Sequence, residues 1–270
     1  MINNLATSDN IVWPQAIYRR HEIPVADYLM SFREKLTEEF LAGFNSLEEV
    51  FANERCVRTL GWDHQGYNGV KNQQNVDPIP LETFDQETNQ FKENLNSWKN
   101  LALKYETRTP TWADDQKYDL EKENPEWATQ YPTAMYLTKK YGEYCPISLY
   151  SVIGPRTILH RHTGPENRSG KYIRIHIPLI VPKGDIFLEV NGEKVDWSDL
   201  VGFNNQLAHS SWNLSNEYRL NFMIDLDREF IGLPPGLVYD ARLETYAKPF
   251  NEKEYYLKTM NNLQNEPSTI

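Results

Sequence analysis

The twelve residues KYIRIHIPLIVP, Lys171 to Pro182, alternate without a break. Ile173, Ile175, Ile177 and Leu179 fall on one face of an extended chain, and Tyr172, Arg174, His176 and Pro178 on the other. A period of two fits a strand and not a helix. The stretch YRLNFMID behaves alike: Leu220, Phe222 and Ile224 share one face, Arg219, Asn221, Met223 and Asp225 the other. Two strands thus carry an arginine on the more polar face. That face meets either water or a chemically equipped interior. An arginine buried without an anionic partner is costly, so an interior implies a ligand.

From Cys145 onward the chain is a series of short β-rich runs with turn residues between them, such as PISLYSVIGP, TILHRH and IFLEVNGEKVDW. Asn191-Gly192 is a strong hairpin signal. The expected fold class is mainly β, an antiparallel sandwich or barrel with flanking helices. Before Cys145 the texture is helical. Leu29, Phe32, Leu36, Phe40, Phe44 and Leu47 recur near a 3.6 period. Phe91, Leu95, Trp98, Ala102 and Tyr105 predict a second amphipathic helix. PTAMYLTKKYGE, from Pro132, predicts a third, with proline at its start, Lys139 and Lys140 in its last turn and Gly142 after it. A last helix is expected around Glu252 to Leu263, and Gly61 to Pro80 reads as loop. The expected organisation is one structural domain. Residues 1–145 form a helical and loop region that packs on the core and supplies substrate walls, with Trp112 and Trp127 among them. Residues 146–230 form the catalytic β core, and 231–270 a C-terminal loop and helix. The early helices need something to cover, and the apolar strand faces supply it. The polar faces then line a bore.

The net charge of −10, with no block of lysine or arginine, argues against nucleic acid as a partner. Cys56 and Cys145 are the only cysteines, too few for a disulfide framework, so a cytoplasmic, reducing setting is expected. The polar start MINNLATSDN does not read as a signal peptide, and no apolar run approaches the roughly 20 residues that span a bilayer. No membrane association is expected.

Four of the six histidines, His160, His162, His176 and His209, fall within fifty residues in the β-rich part. Neutral imidazole is a common metal ligand and needs no buried charge. On a regular strand His160 and His162 face the same way. His209 opens the run HSSWN that leads to Arg219. A bore lined by His162, His209 and two arginines suits a metal at the histidines and a small dianion between metal and arginines, because a guanidinium grips carboxylates and stays charged when buried.

The run YSVIGPRTILHRHTGPENRSGKYIRIHIPLIVP followed by GFNNQLAHSSWNLSNEYRLNFMIDLD resembles the aspartyl/asparaginyl β-hydroxylase family. The matching pieces are HTGPxN, RxH before PLxxP, HxxWN and RLxFxxD. Ten residues separate His209 from Arg219 and eleven separate Ser151 from His162, as in that family. The resemblance covers about residues 130 to 228. It implies a double-stranded β-helix (jelly-roll, cupin-like) and an iron(II)-dependent dioxygenase that consumes 2-oxoglutarate and O2. The expected reaction is hydroxylation at the β-carbon of an Asp or Asn residue in a peptide or protein, or of a related amino acid. Residue by residue, His162 and His209 resemble the iron ligands. Arg174 and His176 resemble the pair at the metal end of 2-oxoglutarate. Ser151 and Arg219 resemble the pair that holds its far carboxylate.

The residue two beyond His162 is Gly164, so no carboxylate stands in the third position of the common triad. Three departures from the family pattern are visible, the first being that residues 1–130 match no part of it. About three extra residues, RSG, lengthen the turn before Arg174, and Phe203-Asn204-Asn205 stands where the family often shows Phe-Asp-Asp. An alternative stays open from the residues alone. Gly154, His160, His162 and Glu166, with His209 and Asn213, also fit a general cupin metal site built from His160, His162, Glu166 and His209. A third reading is a non-catalytic ligand-binding β-helix protein.

Overall fold

A computed structural model describes residues 15–44, 46–52, 81–88, 90–94, 97–107, 116–164 and 170–236. The helix expected at 252–263, the loop at 61–80, Cys56, Trp112 and Glu166 lie outside the described residues.

In chain order the elements are β1 (Ile17–Arg19), α1 (Ala26–Met30), α2 (Arg33–Ala42), α3 (Leu47–Ala52), β2 (Leu81–Asp85), β3 (Gln90–Glu93), β4 (Trp98–Thr107), β5 (Gln116–Asp119), α4 (Leu120–Glu123), α5 (Pro125–Ala128) and α6 (Pro132–Tyr141). Then follow β6 (Ile147–Ile153), β7 (Thr157–His162), β8 (Tyr172–Ile180), β9 (Ile186–Val190), β10 (Glu193–Asp196), β11 (Val201–Phe203), β12 (His209–Asn213) and β13 (Arg219–Asp227). Among the described residues the strands make two antiparallel sheets. The larger runs β1-β11-β8-β13-β6-β4-β5, the smaller β10-β9-β12-β7-β2-β3. From β6 to β13 the chain alternates between the two sheets, apart from the β9–β10 hairpin within the smaller one, which is the winding of a double-stranded β-helix.

The larger sheet buries the alternating face that the sequence marks out. Ile173, Ile175, Ile177 and Leu179 of β8 and Leu220, Phe222, Ile224 and Leu226 of β13 join Leu36 and Phe40 of α2 and Met135, Leu137 and Tyr141 of α6 in one cluster. Each such side chain contributes roughly 1.5–3 kcal/mol on burial. A one-residue slip would turn all eight strand residues into the bore, so this face fixes the register. The helix at α6 has the expected ends: Pro132 starts it and Gly142, at φ 53°, stops it. Glu39 of α2 caps it from outside, accepting from the N–H groups of Thr133 at 2.7 Å and Ala134 at 2.8 Å. Asn191 and Gly192, both at positive φ (49° and 85°), form the tight turn between β9 and β10. Cys145 is buried in the helix-side core, which pushes its thiol up to about 12.

Two expectations fail. The segment from Phe91 to Tyr105 is not a helix: Phe91 lies in β3, and Trp98, Ala102 and Tyr105 lie in β4. Strand β4 pairs along β6, with a register shift between Ala102 and Lys104. That irregularity lets Leu101, Ala102, Leu103 and Tyr105 all reach apolar surroundings, which imitates a helical period. Strands from the N-terminal half therefore extend both sheets beyond the β core expected at 146–230. Trp127, expected as a substrate wall, packs half-buried on the helix-side core instead.

Candidate metal and co-substrate site

The opposite face of the larger sheet, together with the smaller sheet, encloses the bore. Register across the sheet sets its rows. Asp225 of β13 lies opposite Arg174 of β8, Met223 opposite His176, and Asn221 opposite both Pro178 and Ser151. Arg219 lies opposite Ile153. Arg174 and His176 thus look into the bore, not into water.

His162 and His209 are cross-strand partners on β7 and β12, with ring centroids 4.3 Å apart. Each ring is oriented by a carbonyl of its own chain. Nδ1 of His162 lies 2.7 Å from the His160 oxygen, and Nδ1 of His209 lies 2.8 Å from the Leu207 oxygen. A carbonyl accepts only, so Nδ1 carries a proton in both rings and Nε2 is the nitrogen left for a metal. Burial, reinforced by the neighbouring His162, holds His209 well below the usual histidine range, so it is a neutral donor. Phe203 stands 5.1 Å from the His209 ring and 5.3 Å from His176.

His160 does not join this pair. A bulge interrupts the β7–β12 ladder between His209 and Ser211, and one extra residue on β7 breaks the alternation. His160 turns toward β2, where its Nε2 lies 2.9 Å from a Glu82 carboxylate oxygen. The four-residue cupin site therefore lacks His160, and among the described residues no group of three or more His, Cys, Asp or Glu stands ready for a metal.

The third ligand position is closed by packing. Gly164 donates its N–H to the Asn205 oxygen at 2.6 Å. A Cβ at 164 would lie 3.0 Å from that oxygen and would run into the Asn205 side-chain amide. Asn204, the other asparagine of the pair, accepts from Arg228 at 2.7 Å and donates to the Gln15 oxygen at 2.6 Å. A carboxylate at 204 could not make the second bond. Two histidine rings with centroids 4.3 Å apart beside a crowded glycine suit a metal that keeps open positions for a chelating co-substrate.

The two arginines differ. Arg174 binds Asp225 through a two-pronged ion pair, Nε to Oδ1 at 2.8 Å and Nη2 to Oδ2 at 2.9 Å. Arg219 is 0% exposed and has no carboxylate within 4 Å among the described residues. Its Nη2 donates to the Trp197 oxygen at 2.8 Å, and its guanidinium carbon stacks 3.5 Å from the centre of the Trp197 indole. Nε and Nη1 meet no acceptor in the structure. Burial presses Arg219 well below the usual arginine range, opposed only by Asp196. For a group that stays charged, that pressure is a demand for an anion.

Other buried polar atoms near Arg219 are also unanswered: both ring nitrogens of His176, Nε1 of Trp197 and the whole Asn221 amide. Burial, then Arg219 and Arg174, hold His176 well below the usual histidine range, so its ring is neutral. Ser151 accepts from Trp98 Nε1 at 2.7 Å. Sequence reasoning did not single out Trp98, Trp197 or Asn221. The alternation that places Arg219 in the bore also places Asn221 there, but nothing local marks the two tryptophans.

The motif residues around these side chains serve architecture. Trp212 stacks on Phe187, ring centroids 5.0 Å apart, and donates to Ser210 at 2.8 Å. Asn213 donates to the carbonyls of Gly154 and Glu217, each at 2.9 Å, and accepts from the Ser215 hydroxyl at 2.6 Å. It ties the turn between the His209 strand and the Arg219 strand to the end of β6. The HxxWN spacing is thus one ligand followed by the residues that hold its strand.

Among the described residues no helix is long and apolar enough to cross a membrane. No curated protein matches the chain significantly. Solved structures similar to it include a 2OG-Fe(II) oxygenase family oxidoreductase from Burkholderia pseudomallei, at 9% identity over 53% of this chain and 71% of that one, TM-score 0.32. A cupin-2 domain protein from Rhodospirillum rubrum is similar at 11% identity over 72% of this chain and 97% of that one, TM-score 0.29. A Trichoplax adhaerens prolyl hydroxylase, in complex with a peptide fragment of the hypoxia inducible factor oxygen degradation domain, is similar at 14% identity over 39% of this chain and 56% of that one, TM-score 0.25. A family model described as aspartyl/asparaginyl beta-hydroxylase matches residues 70–229, so the likeness starts well before residue 130, where the sequence pieces begin. That span takes in β4 and the whole run from β6 to β13 and exceeds half of the chain, so the chain belongs to the aspartyl/asparaginyl beta-hydroxylase family.

Proposed function

We propose that this protein is an iron(II)- and 2-oxoglutarate-dependent dioxygenase that hydroxylates an unactivated C–H bond. Its substrate is the β-carbon of an Asp or Asn residue in a peptide or protein, or of a related amino acid. One observation carries the reading: a fully buried Arg219, with two donors unanswered, in the same bore as the paired rings of His162 and His209. A metal-only site would have no use for that arginine.

In this reading the Nε2 atoms of His162 and His209 hold iron(II), and their Nδ1–H bonds to backbone carbonyls keep both lone pairs aimed. Arg219 and Ser151 bind the distal carboxylate of 2-oxoglutarate, and His176 meets the end nearer the metal. Arg174, held by Asp225, keeps positive potential close to that end without needing to swing. When bound, iron(II) supplies dioxygen activation: one oxygen atom enters the substrate as a hydroxyl, and the other leaves in succinate as 2-oxoglutarate loses carbon dioxide. The apolar walls of Phe203, Val190 and Leu207 exclude water from the site.

The test is anaerobic addition of iron(II) and 2-oxoglutarate, which should give the weak visible charge-transfer band of the chelate. Succinate release should follow in air with an Asp- or Asn-containing substrate, with product mass raised by one oxygen. Arg219→Ala should raise the 2-oxoglutarate requirement strongly and leave bound metal unchanged. Unchanged co-substrate affinity in that variant would overturn the assignment.

A further inference from the structure

The open groups around Arg219 are mostly donors. Arg219 offers Nε and Nη1, and Trp197 offers Nε1. Ser151 carries a hydroxyl that elsewhere can accept or donate, but here Trp98 decides its polarity. An indole N–H only donates, so the 2.7 Å bond makes Ser151 the acceptor toward Trp98 and leaves its proton for another partner. Asn221, beside Ser151 in the cross-strand register, and the neutral ring of His176 each add a further donor and an open acceptor. A buried pocket of this composition lacks an anion with several lone pairs.

Trp197 is held in place twice over. Its carbonyl takes Arg219 Nη2, and the guanidinium carbon sits 3.5 Å from the centre of its ring. With the guanidinium carbon 3.5 Å from the ring centre, Trp197 Nε1 and the two open arginine donors belong to one pocket. Trp197 is 1% exposed, so water is no substitute partner for its N–H.

We propose that Trp197 binds the co-substrate directly, its indole N–H donating to the distal carboxylate alongside Arg219 and Ser151, and that Trp98 is a positioning residue that acts through Ser151. The distal carboxylate is thereby held by donors from three places in the chain: β13, β6 and the connection after β10. The inference rests on the reading of the bore as a 2-oxoglutarate site.

The test uses glutarate on the metal-free full chain. Glutarate has the five carbons and both carboxylates of the co-substrate but lacks the keto oxygen, so it reports the carboxylate contacts without metal chelation. Calorimetry should show that wild-type protein binds it and that Trp197→Phe, which keeps a ring over Arg219 but removes the N–H, weakens binding about tenfold. Trp98→Phe should weaken it less, and adding Trp98→Phe to Ser151→Ala should change nothing further. The nitrogen-15 spectrum gives a readout independent of variant stability. The indole resonance that is missing in Trp197→Phe should move downfield in wild-type protein when glutarate is added. Wild-type affinity in Trp197→Phe, or an unmoved indole resonance, would overturn the role of Trp197 while Arg219→Ala still abolished binding. Additive effects of Trp98→Phe and Ser151→Ala would overturn the role of Trp98. If the wild-type chain bound neither glutarate nor 2-oxoglutarate, the co-substrate reading itself would fall.

Discussion

The two ends of the bore each carry an arginine, and the two are built on opposite principles. At the histidine end Arg174 is 11% exposed in its side chain and faces a carboxylate, Asp225, that is 2% exposed. Both prongs of the guanidinium are matched, and the nearby His162 and His209 rings are each fixed by a carbonyl. The ion pair at that end is complete without a ligand, although both ring nitrogens of His176 still lack a partner. At the other end Arg219 is more deeply buried yet has only a carbonyl and an indole for company. Its environment is complete only when an anion arrives. Stability therefore lives at one end and affinity at the other, although the sequence presents both arginines in the same alternating pattern.

Loss of a metal ligand should have the largest effect. His209→Ala should retain little iron after desalting and should lose activity by more than the roughly 10–100-fold that loss of a supporting bond costs; full iron content would dissolve the distinction between the two ends. Next comes Arg174→Met. It takes the two-pronged ion pair from a buried carboxylate, Asp225, and should lower unfolding free energy by about 3–5 kcal/mol in urea titration, with Asp225→Leu in the same chain restoring much of the loss. Arg219→Met removes a buried charge that has no paired carboxylate among the described residues. The metal-free protein should then be as stable as wild type or more stable by up to about 4 kcal/mol, even as 2-oxoglutarate binding is lost. Equal destabilisation by the two arginine substitutions would break the comparison.

The smallest effect is on pH. His176 and His209 are held neutral far below the ordinary histidine range by burial, whereas in the unfolded chain both titrate near 6.5. Below pH 6.5 the unfolded state binds more protons. Stability is therefore full above pH 6.5 and falls as the medium turns acid, by up to about 1.4 kcal/mol per pH unit for each ring. Urea midpoints of the metal-free protein between pH 7 and 5 should show this slope, and His176→Gln should make it shallower.

Much of this was legible in the sequence where the information is local. Alternation in 171–182 and 219–225 told which side chains enter the bore, and the Asn191-Gly192 pair told where β9 turns into β10. The spacing of His162, His209 and Arg219 survived because each sits at a fixed place on its own strand. Where pairing is remote, local reading failed. Residues 98–107 carry apolar groups at an almost helical spacing, and only their partner β6, about fifty residues on, makes them a strand. His160 was misplaced by a bulge set by the opposite strand. That Arg174 has a carboxylate and Arg219 does not is a matter of register between β8 and β13, which neither segment contains by itself. The tryptophans at 98 and 197 come from outside the motif-bearing strands and carry no local mark.

The close approach of Gly164 to Asn205 has a consequence for how such a site can change over generations. A glycine codon lies one nucleotide from aspartate, so a third oxygen ligand looks like a cheap mutational step. Here any side chain at 164 collides with the backbone oxygen and amide of Asn205, and Asn204 next to it is bound on both sides to Arg228 and Gln15. A carboxylate would have to arrive together with a rebuilt loop at 204–205, not as a lone substitution. The two-imidazole arrangement is therefore shut in by its neighbours against the simplest evolutionary route to a three-ligand centre.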